Sequence, residues 1–523
     1  MHEHGLQFES GRGEPGRRHA THSASNFGRS YSPSWTMFWT MRENPAMAPH
    51  PPIRHLPVTK DVREFFSEMP DETPPGPAIV EGDLPTWLVG TLVRNGASGF
   101  GAGAARHQLD GSALLHRFAF PGDGSATYAS RYLRTKARAA MQEGRIGYRE
   151  FASDPCRRLA EPIATLFSPR LTDNASVNVA KLGDQYLALT ETPLPIAFDP
   201  ATLATLGVAD APPGRGIRSP TAHPHHDPRT GGWLTSQVHV GPRSSYRFFE
   251  RHPDGRSRQL ASIPTTDPGY LHTFAITDRH IVFVEQPLRV RPLDLLTSAK
   301  PFIEQYRWQP ELGSTFVVLD RDTGVVRRRH HGPAFFVFHH VNAFDDGEDV
   351  VVDLCAYEDP SIIDALYLDA RGRLAAATLP AATLTRFRLT PGRDAQGEPV
   401  CDTPLEWPRV APRVDGRPYE AVYGGGAIYE RGVLQASITK CDPGSGEVLH
   451  RHWDGCLPGE PVVVSRPSGA AEHDGVVLSV VFDPARGRSF VAVLDARTLE
   501  EIAQAHAPVR VPFGFHGDFF PAG

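Results

Sequence analysis

The chain of 523 residues balances 54 lysines and arginines against 60 aspartates and glutamates, for a net charge of −6, and the basic residues are scattered. No basic stripe is offered to a phosphate backbone, which excludes nucleic acid as an expected partner. No apolar run reaches the eighteen or so residues that cross a bilayer, and the first thirty lack the apolar core of a secretory signal, so the expected compartment is cytoplasmic.

In chain order, residues 1–50 mix Gly, Ser, Arg, Pro and His without a sustained period and read as a disordered tail. "VTKDVREFFSEM" at 58–69 and "DPCRRLAEPIATLF" at 154–167 are the better helical candidates. From about residue 80 onward, short apolar or alternating runs end in turn-forming clusters: "STFVVLD" before "RDTG", "AIYERGVLQASITK" before "CDPGSG", and "GVVLSVVFD" before "PARG". Asp, Pro and Gly there supply the local hydrogen bonds and backbone angles of hairpin turns. Such a succession predicts an all-β closed architecture over 51–523 as a single domain. A seven-bladed β-propeller of about 65 to 70 residues per blade fits better than two sandwiches, because it returns distant strand ends to one axis. The five cysteines, Cys156, Cys355, Cys401, Cys441 and Cys456, are odd in number and never spaced C-x-x-C, so they read as reduced and mostly structural.

Histidine is over-represented, at 24 residues. His223, His272, His339 and His516 stand in strand-like or turn settings, separated by 49, 67 and 177 residues. Those gaps approximate one blade, one blade, and two to three blades, so four blades could each aim one ring at an axial metal. No local motif such as H-E-x-x-H supports this, and each histidine alone also fits a packed core or turn. A ligating imidazole donates its second N–H to a carboxylate or carbonyl, so glutamates in apolar strands are the companion signal. Glu191 in "TETPLP", Glu406 in "PLEWP" and Glu460 in "PGEPVVV" are the candidates, each also readable as a loop-end surface residue.

The strings "GDLPTWLVGTLVRNG", "LDGSALLHRFAF", "LTDNASVNV", "TETPLPIAFDP", "TAHPHHDPRTG", "HTFAITDRHIVFVEQPL", "FHHVNAFDDG", "DGVVLSVVFD" and "PFGFHGDF", in this order, resemble the carotenoid cleavage oxygenase family, and they cover nearly everything from residue 80 to 520. The resemblance implies a seven-bladed propeller with a helical or loop cap, holding one Fe(II) on four histidines. By motif these are His223, His272, His339 and His516, with Glu191, Glu406 and Glu460 holding three of the rings. His116, His225, His226, His280 and His340 then revert to structural roles. Thr190 matches a residue whose methyl group crowds an open iron position. Where the family commonly reads N-G-P-G, this chain has "NGASG" at 95–99.

The implied reaction is dioxygen-dependent cleavage of a conjugated C=C bond in a carotenoid or apocarotenoid to aldehydes such as retinal, by a dioxetane or an epoxide route. Neutral imidazoles suit Fe(II), whereas zinc has no redox change with which to activate dioxygen. Phe274, Phe335, Phe336, Phe338, Phe513 and Phe515 are candidates for an apolar tunnel that accepts a polyene by shape. The stretch 285–321, with Leu295, Leu296, Phe302 and Ile303 flanked by Arg291 and Lys300, reads as a loop-like insertion making peripheral membrane contact. No obligatory protein partner is evident. The alternatives are a stilbene-cleaving enzyme with Lys136 as phenol anchor, a retinoid isomerohydrolase, and a propeller binding module without chemistry.

Overall fold

The computed structural model describes residues 52–69, 71–101, 103–154, 171–209, 217–297 and 300–522; the side chains of Leu296 and Thr297 are outside it. The expected tail at 1–50 and most of the helix expected at 154–167 therefore lie outside the described residues.

The strands form the seven antiparallel blades of the propeller on five sheets, blades IV and V sharing one and blades VI and VII another. Blade I comprises Asn178–Leu182, Gln185–Leu189, Ile196–Phe198 and Thr205–Val208. In blade II, Ile217–Pro220 and His225–Asp227 both pair with Gly232–Val240, followed by Ser245–Arg251 and Ser257–Pro264. Blade III is Ala275–Ile276, His280–Glu285, Ser314–Asp320 and Val326–Gly332. Phe336–Asp346, Asp349–Tyr357 and Thr383–Leu389 begin blade IV, and the long strand Gly397–Arg409 closes it with its first half. The second half of that strand opens blade V, with Val422–Glu430, Val433–Cys441 and Val448–Arg451. Blade VI is Leu457–Ser465, Gly475–Asp483, Arg488–Asp495 and Glu501–His506.

Blade VII joins the two ends of the propeller, because the C-terminal strand Gly517–Pro521 pairs with Gly90–Ser98, which continues into Ser112–Phe120 and Ala126–Tyr132. A further N-terminal strand, Thr73–Gly82, bridges blades VI and VII by pairing with the last strand of each. This closure ties down the terminus through some of its tightest packing. A Cβ on Gly517 would stand 2.5 Å from the Val93 carbonyl, and one on Gly96 would stand 2.7 Å from Gly514 Cα. The glycines flanking His516 serve strand-to-strand approach.

Cores lie between neighbouring blades, as in the cluster of Phe316, Phe335, Phe387 and Val350 between blades III and IV. Short helices sit among the connections. Lys60–Phe65 starts where Thr59 accepts a hydrogen bond from the Val62 N–H, and Ser361–Ala365 follows the second strand of blade IV. The insertion within blade III folds as a helix, Pro292–Thr297, and a 3-10 turn, Ile303–Gln305. Leu295 and Ile303 are buried among Tyr270, Tyr306 and Phe336, and Phe302 is half-buried, which corrects the expectation that these side chains face a membrane. Their apolar area is already used in packing, and Leu293 is the large exposed hydrophobic among the helix's described side chains.

Candidate metal centre

Four imidazoles meet at the centre of the ring. The candidate ligand atoms of His223, His272, His339 and His516 all lie within 4.8 Å of one another. The His223 and His272 Nε2 atoms are 3.1 Å apart, and those of His339 and His516 are 3.2 Å apart. Metal–nitrogen bonds of about 2.0–2.1 Å place cis nitrogens about 3 Å apart, so these spacings suit neighbours around one ion. The rings meet nearly edge to face; His223 and His516 cross at 88°.

Three rings are held by carboxylates. Glu191 Oε1 accepts from His272 Nδ1 at 2.6 Å, Glu406 Oε2 from His339 Nδ1 at 2.6 Å, and Glu460 Oε1 from His516 Nδ1 at 2.8 Å. With Nδ1 carrying the proton, each Nε2 turns its lone pair inward. Among the described residues His223 has no carboxylate partner; its backbone N–H donates to Thr221 Oγ1, whose hydroxyl donates to the His272 carbonyl. The histidines come from blades II, III, IV and VII, and the glutamates from blades I, V and VI, so every blade contributes one residue.

Backbone irregularity aims several of these side chains. Register shifts flank His339, follow Glu406, and span Glu460 between Pro458 and Pro461. A β-bulge bends the strand and redirects a side chain that regular alternation would send elsewhere. Trp407 adopts a left-handed backbone, φ 49°, and its N–H donates to Glu406 Oε2 at 2.6 Å. Strain of about 1–3 kcal/mol at such a residue persists only where the surroundings enforce it.

Electrostatics favour the neutral form of His223 and His516 and the charged form of Glu406 and Glu460. Burial pushes the His516 imidazole down to about 3 and holds His223 well below its ordinary range, where the neighbouring histidines add to the effect. Burial alone would raise Glu460, but Arg409, Arg94 and His516 outweigh it and hold this carboxyl far below the usual range. Glu406 is lowered in the same way, burial being overcome chiefly by His339. Glu460 is saturated: it pairs with Arg94, accepts from Arg409 Nε at 2.9 Å, and accepts from the Gly517 N–H at 3.0 Å besides His516. Tyr270 adds a second donor to Glu191, at 2.9 Å.

A cavity of about 360 Å³ leads from the surface to His272, His339 and His516. Phe338, Phe513 and Phe515 line it, whereas Phe274, Phe335 and Phe336 are spent in inter-blade cores. Val177, not Thr190, is the small branched residue on its wall; Thr190 borders a separate small cavity, which corrects that assignment. Val177 also positions His516, the last of the four candidate ligands, since its carbonyl accepts the His516 N–H at 3.1 Å. Lys136 is exposed at a helix start and does not line the cavity, so it cannot anchor a phenol there.

Five other histidines weighed in the sequence lie outside the cluster of four. His116 bonds Tyr128, His225 bonds Asp415, His280 bonds Asp345, His340 bonds Thr273, and His226 is exposed. In "NGASG", the Asn95 amide donates to the Ala175 and Asn178 carbonyls, and its backbone exchanges hydrogen bonds with the segment bearing His516.

The family profile described as retinal pigment epithelial membrane protein matches residues 66–521. The chain belongs to this family, that of the carotenoid oxygenases. It is 34% identical over 494 residues to the carotenoid isomerooxygenase of Galleria mellonella, covering 86% of this chain and 94% of that protein. It is 32% identical to the β,β-carotene 15,15'-dioxygenase of Gallus gallus, covering 87% and 98%. Among solved structures, cobalt-substituted Synechocystis ACO superposes with a TM-score of 0.76 at 29% identity, covering 88% of this chain and 98% of that one. Membership accounts for the seven-bladed ring and the catalytic class, dioxygenase. Arg94, Arg409, Val177, Tyr270 and Trp407 are parts of the site that sequence reasoning did not single out.

Proposed function

We propose that this chain is an Fe(II)-dependent dioxygenase that cleaves a conjugated double bond of a carotenoid or apocarotenoid to aldehydes. The observation that carries the reading is the convergence of four inward-facing imidazoles, three of them pinned by glutamates, on an apolar cavity. His223, His272, His339 and His516 would hold the ion, which when bound supplies electron density to dioxygen. All-nitrogen, thiolate-free donors suit iron. Glu191, Glu406 and Glu460 keep Nδ1 protonated and the rings oriented, and they offset cationic charge without entering the centre. Phe338, Phe513, Phe515 and Trp407 exclude water and hold a polyene by shape. Val177 narrows the space beside the ligands and so limits which carbon atoms can approach.

Peripheral contact with lipid belongs to the same reading, but at the cavity mouth. The rim is formed by exposed Pro57, Thr59, Val433 and Gly455, with Leu56, Leu379 and Leu434 behind them. Among the described residues no helix is long and apolar enough to cross a membrane. An apolar rim seats the opening against the phase in which a polyene dissolves.

The test is anaerobic loading with Fe(II), followed by β-carotene, an apocarotenal or resveratrol under ¹⁸O₂. Labelled aldehydes from a polyene, no cleavage of resveratrol, and loss of bound iron in His516→Ala are expected. Full iron and full activity in that variant, or cleavage of resveratrol alone, overturns the reading.

A further inference from the structure

Away from the metal centre, two cysteines from different parts of the chain meet where blades IV and V join. Cys401 lies in the half of Gly397–Arg409 that closes blade IV, and Cys441 is the last residue of Val433–Cys441 in blade V. The two thiols lie against each other and interact directly. The surrounding backbone is equally close. A Cβ on Gly446, in the turn that follows Cys441, would stand 2.8 Å from the Val400 carbonyl, and Arg386 of blade IV donates to the Pro443 carbonyl in that turn at 2.9 Å. Cys401 is half-buried and within reach of a small oxidant, whereas Cys441 is fully buried.

We propose that Cys401 and Cys441 form an oxidation-sensitive dithiol that closes to a disulfide and staples blade IV to blade V. The Cys441 S–H beside it favours the thiolate of Cys401, and the Cys441 thiol is held protonated. A thiolate is the attacking species in such chemistry. With hydrogen peroxide as oxidant, Cys401 sulfur attacks one oxygen, the O–O bond breaks, and a sulfenic acid and one water form. Cys441 sulfur then displaces the second water, so two thiols and one peroxide give one disulfide and two waters. The staple joins the strand that carries Pro404, Leu405, Glu406 and Trp407 to the strand whose far end, Val433–Ser437, reaches the cavity mouth. Oxidation thereby stiffens two walls of one cavity without touching a metal-site residue.

The experiment treats the full chain with hydrogen peroxide, alkylates remaining thiols in denaturant, and maps peptides without reduction. Expected are a Cys401–Cys441 cross-link, loss of two alkylatable thiols per chain, a raised Tm, and reversal of all three by dithiothreitol. Cys401→Ser, at a half-buried position, is expected to abolish the cross-link and the Tm rise, as is Cys441→Ala. Both cysteines remaining alkylatable, a cross-link to Cys355 instead, or an undiminished Tm rise in Cys401→Ser overturns the proposal.

Discussion

Replacing Glu460 by glutamine separates the two tasks of the carboxylates. Glu460 and Arg94 are almost wholly buried, their side chains 1% and 3% exposed, and Arg409 shares the same carboxylate. The amide still offers an oxygen to His516 Nδ1 but leaves two guanidinium groups without their anion. Breaking a buried ion pair from one side costs about 3–5 kcal/mol. Unfolding entropy near 2.1 cal/mol/K per residue over Pro51–Gly523 amounts to roughly 1 kcal/mol/K, so Tm should fall by about 3–5 °C. Metal affinity should fall about 10- to 100-fold as well, the usual effect of losing the partner of a ligating histidine. Glu191→Gln is the control: Glu191 meets His272 and Tyr270 and, among the described residues, no arginine. It should weaken metal binding by a similar factor and leave the metal-free Tm within about 1 °C. Calorimetry of both metal-free variants, with metal titration by competition, makes the comparison. Equal Tm losses in the two variants would refute the separate structural role assigned to Glu460.

Three further outcomes are expected. Val177→Phe should keep metal stoichiometry while cutting polyene turnover by more than tenfold, measured by aldehyde release; undiminished turnover would mean that this wall does not border the reacting carbons. Gly425→Ala puts a Cβ 2.7 Å from the Trp407 ring and pushes the indole into the cavity, so KM for a ring-bearing polyene should rise severalfold at constant metal content, and Trp407→Ala should relieve it. The metal-free protein should lose stability on acidification. Its folded His516 takes up a proton only near pH 3, whereas the unfolded residue does so near 6.5, so the unfolded state binds the extra proton between those values and stability falls as pH drops through that window. The depressed Glu406 and Glu460 act in the same direction below about pH 4.5, and a Tm independent of pH between 7 and 5 would contradict the burial argument.

Much of this site could be read in the sequence because its chemistry needs polar residues where an apolar strand would otherwise continue. His339 in "FVFHHV" and Glu460 in "PGEPVVV" interrupt apolar runs, and such interruptions are costly unless the group has a partner. Val177 escaped notice for the opposite reason, since a valine among apolar residues carries no signal of its own. Its place in the blade does: Val177 immediately precedes Asn178–Leu182, as His516 immediately precedes Gly517–Pro521. Thr190 looked suitable by being next to Glu191, but the chain between the second and third strands of blade I turns it to another cavity. Arg94 was visible as a charge within "GTLVRNG", and a buried arginine demands an anion. The anion's identity is set by propeller closure, which brings residue 94 beside residue 460 across 366 positions. The insertion at 285–321 misled because its leucines have no strand or long-helix period, although several pack inward.

The same pinning gives a reason for the four-histidine centre, which could hold a metal ion, to favour a bound cation over an empty state. Glu191, Glu406 and Glu460 fix the protons of three rings on Nδ1, so the Nε2 lone pairs of His339 and His516 face each other at 3.2 Å. Neither member of that pair can donate, and burial resists the proton on His516 that would relieve them. The three carboxylates that hold the rings and the two guanidinium groups paired with Glu460 sum to −1. A divalent cation held by His223, His272, His339 and His516 would relieve that repulsion and turn the sum to +1. Since it binds the folded ring and not the extended chain, its affinity adds directly to stability. A ring of blades is suited to this because the alternative relief, swinging one imidazole away, would require breaking a carboxylate contact anchored in a different blade.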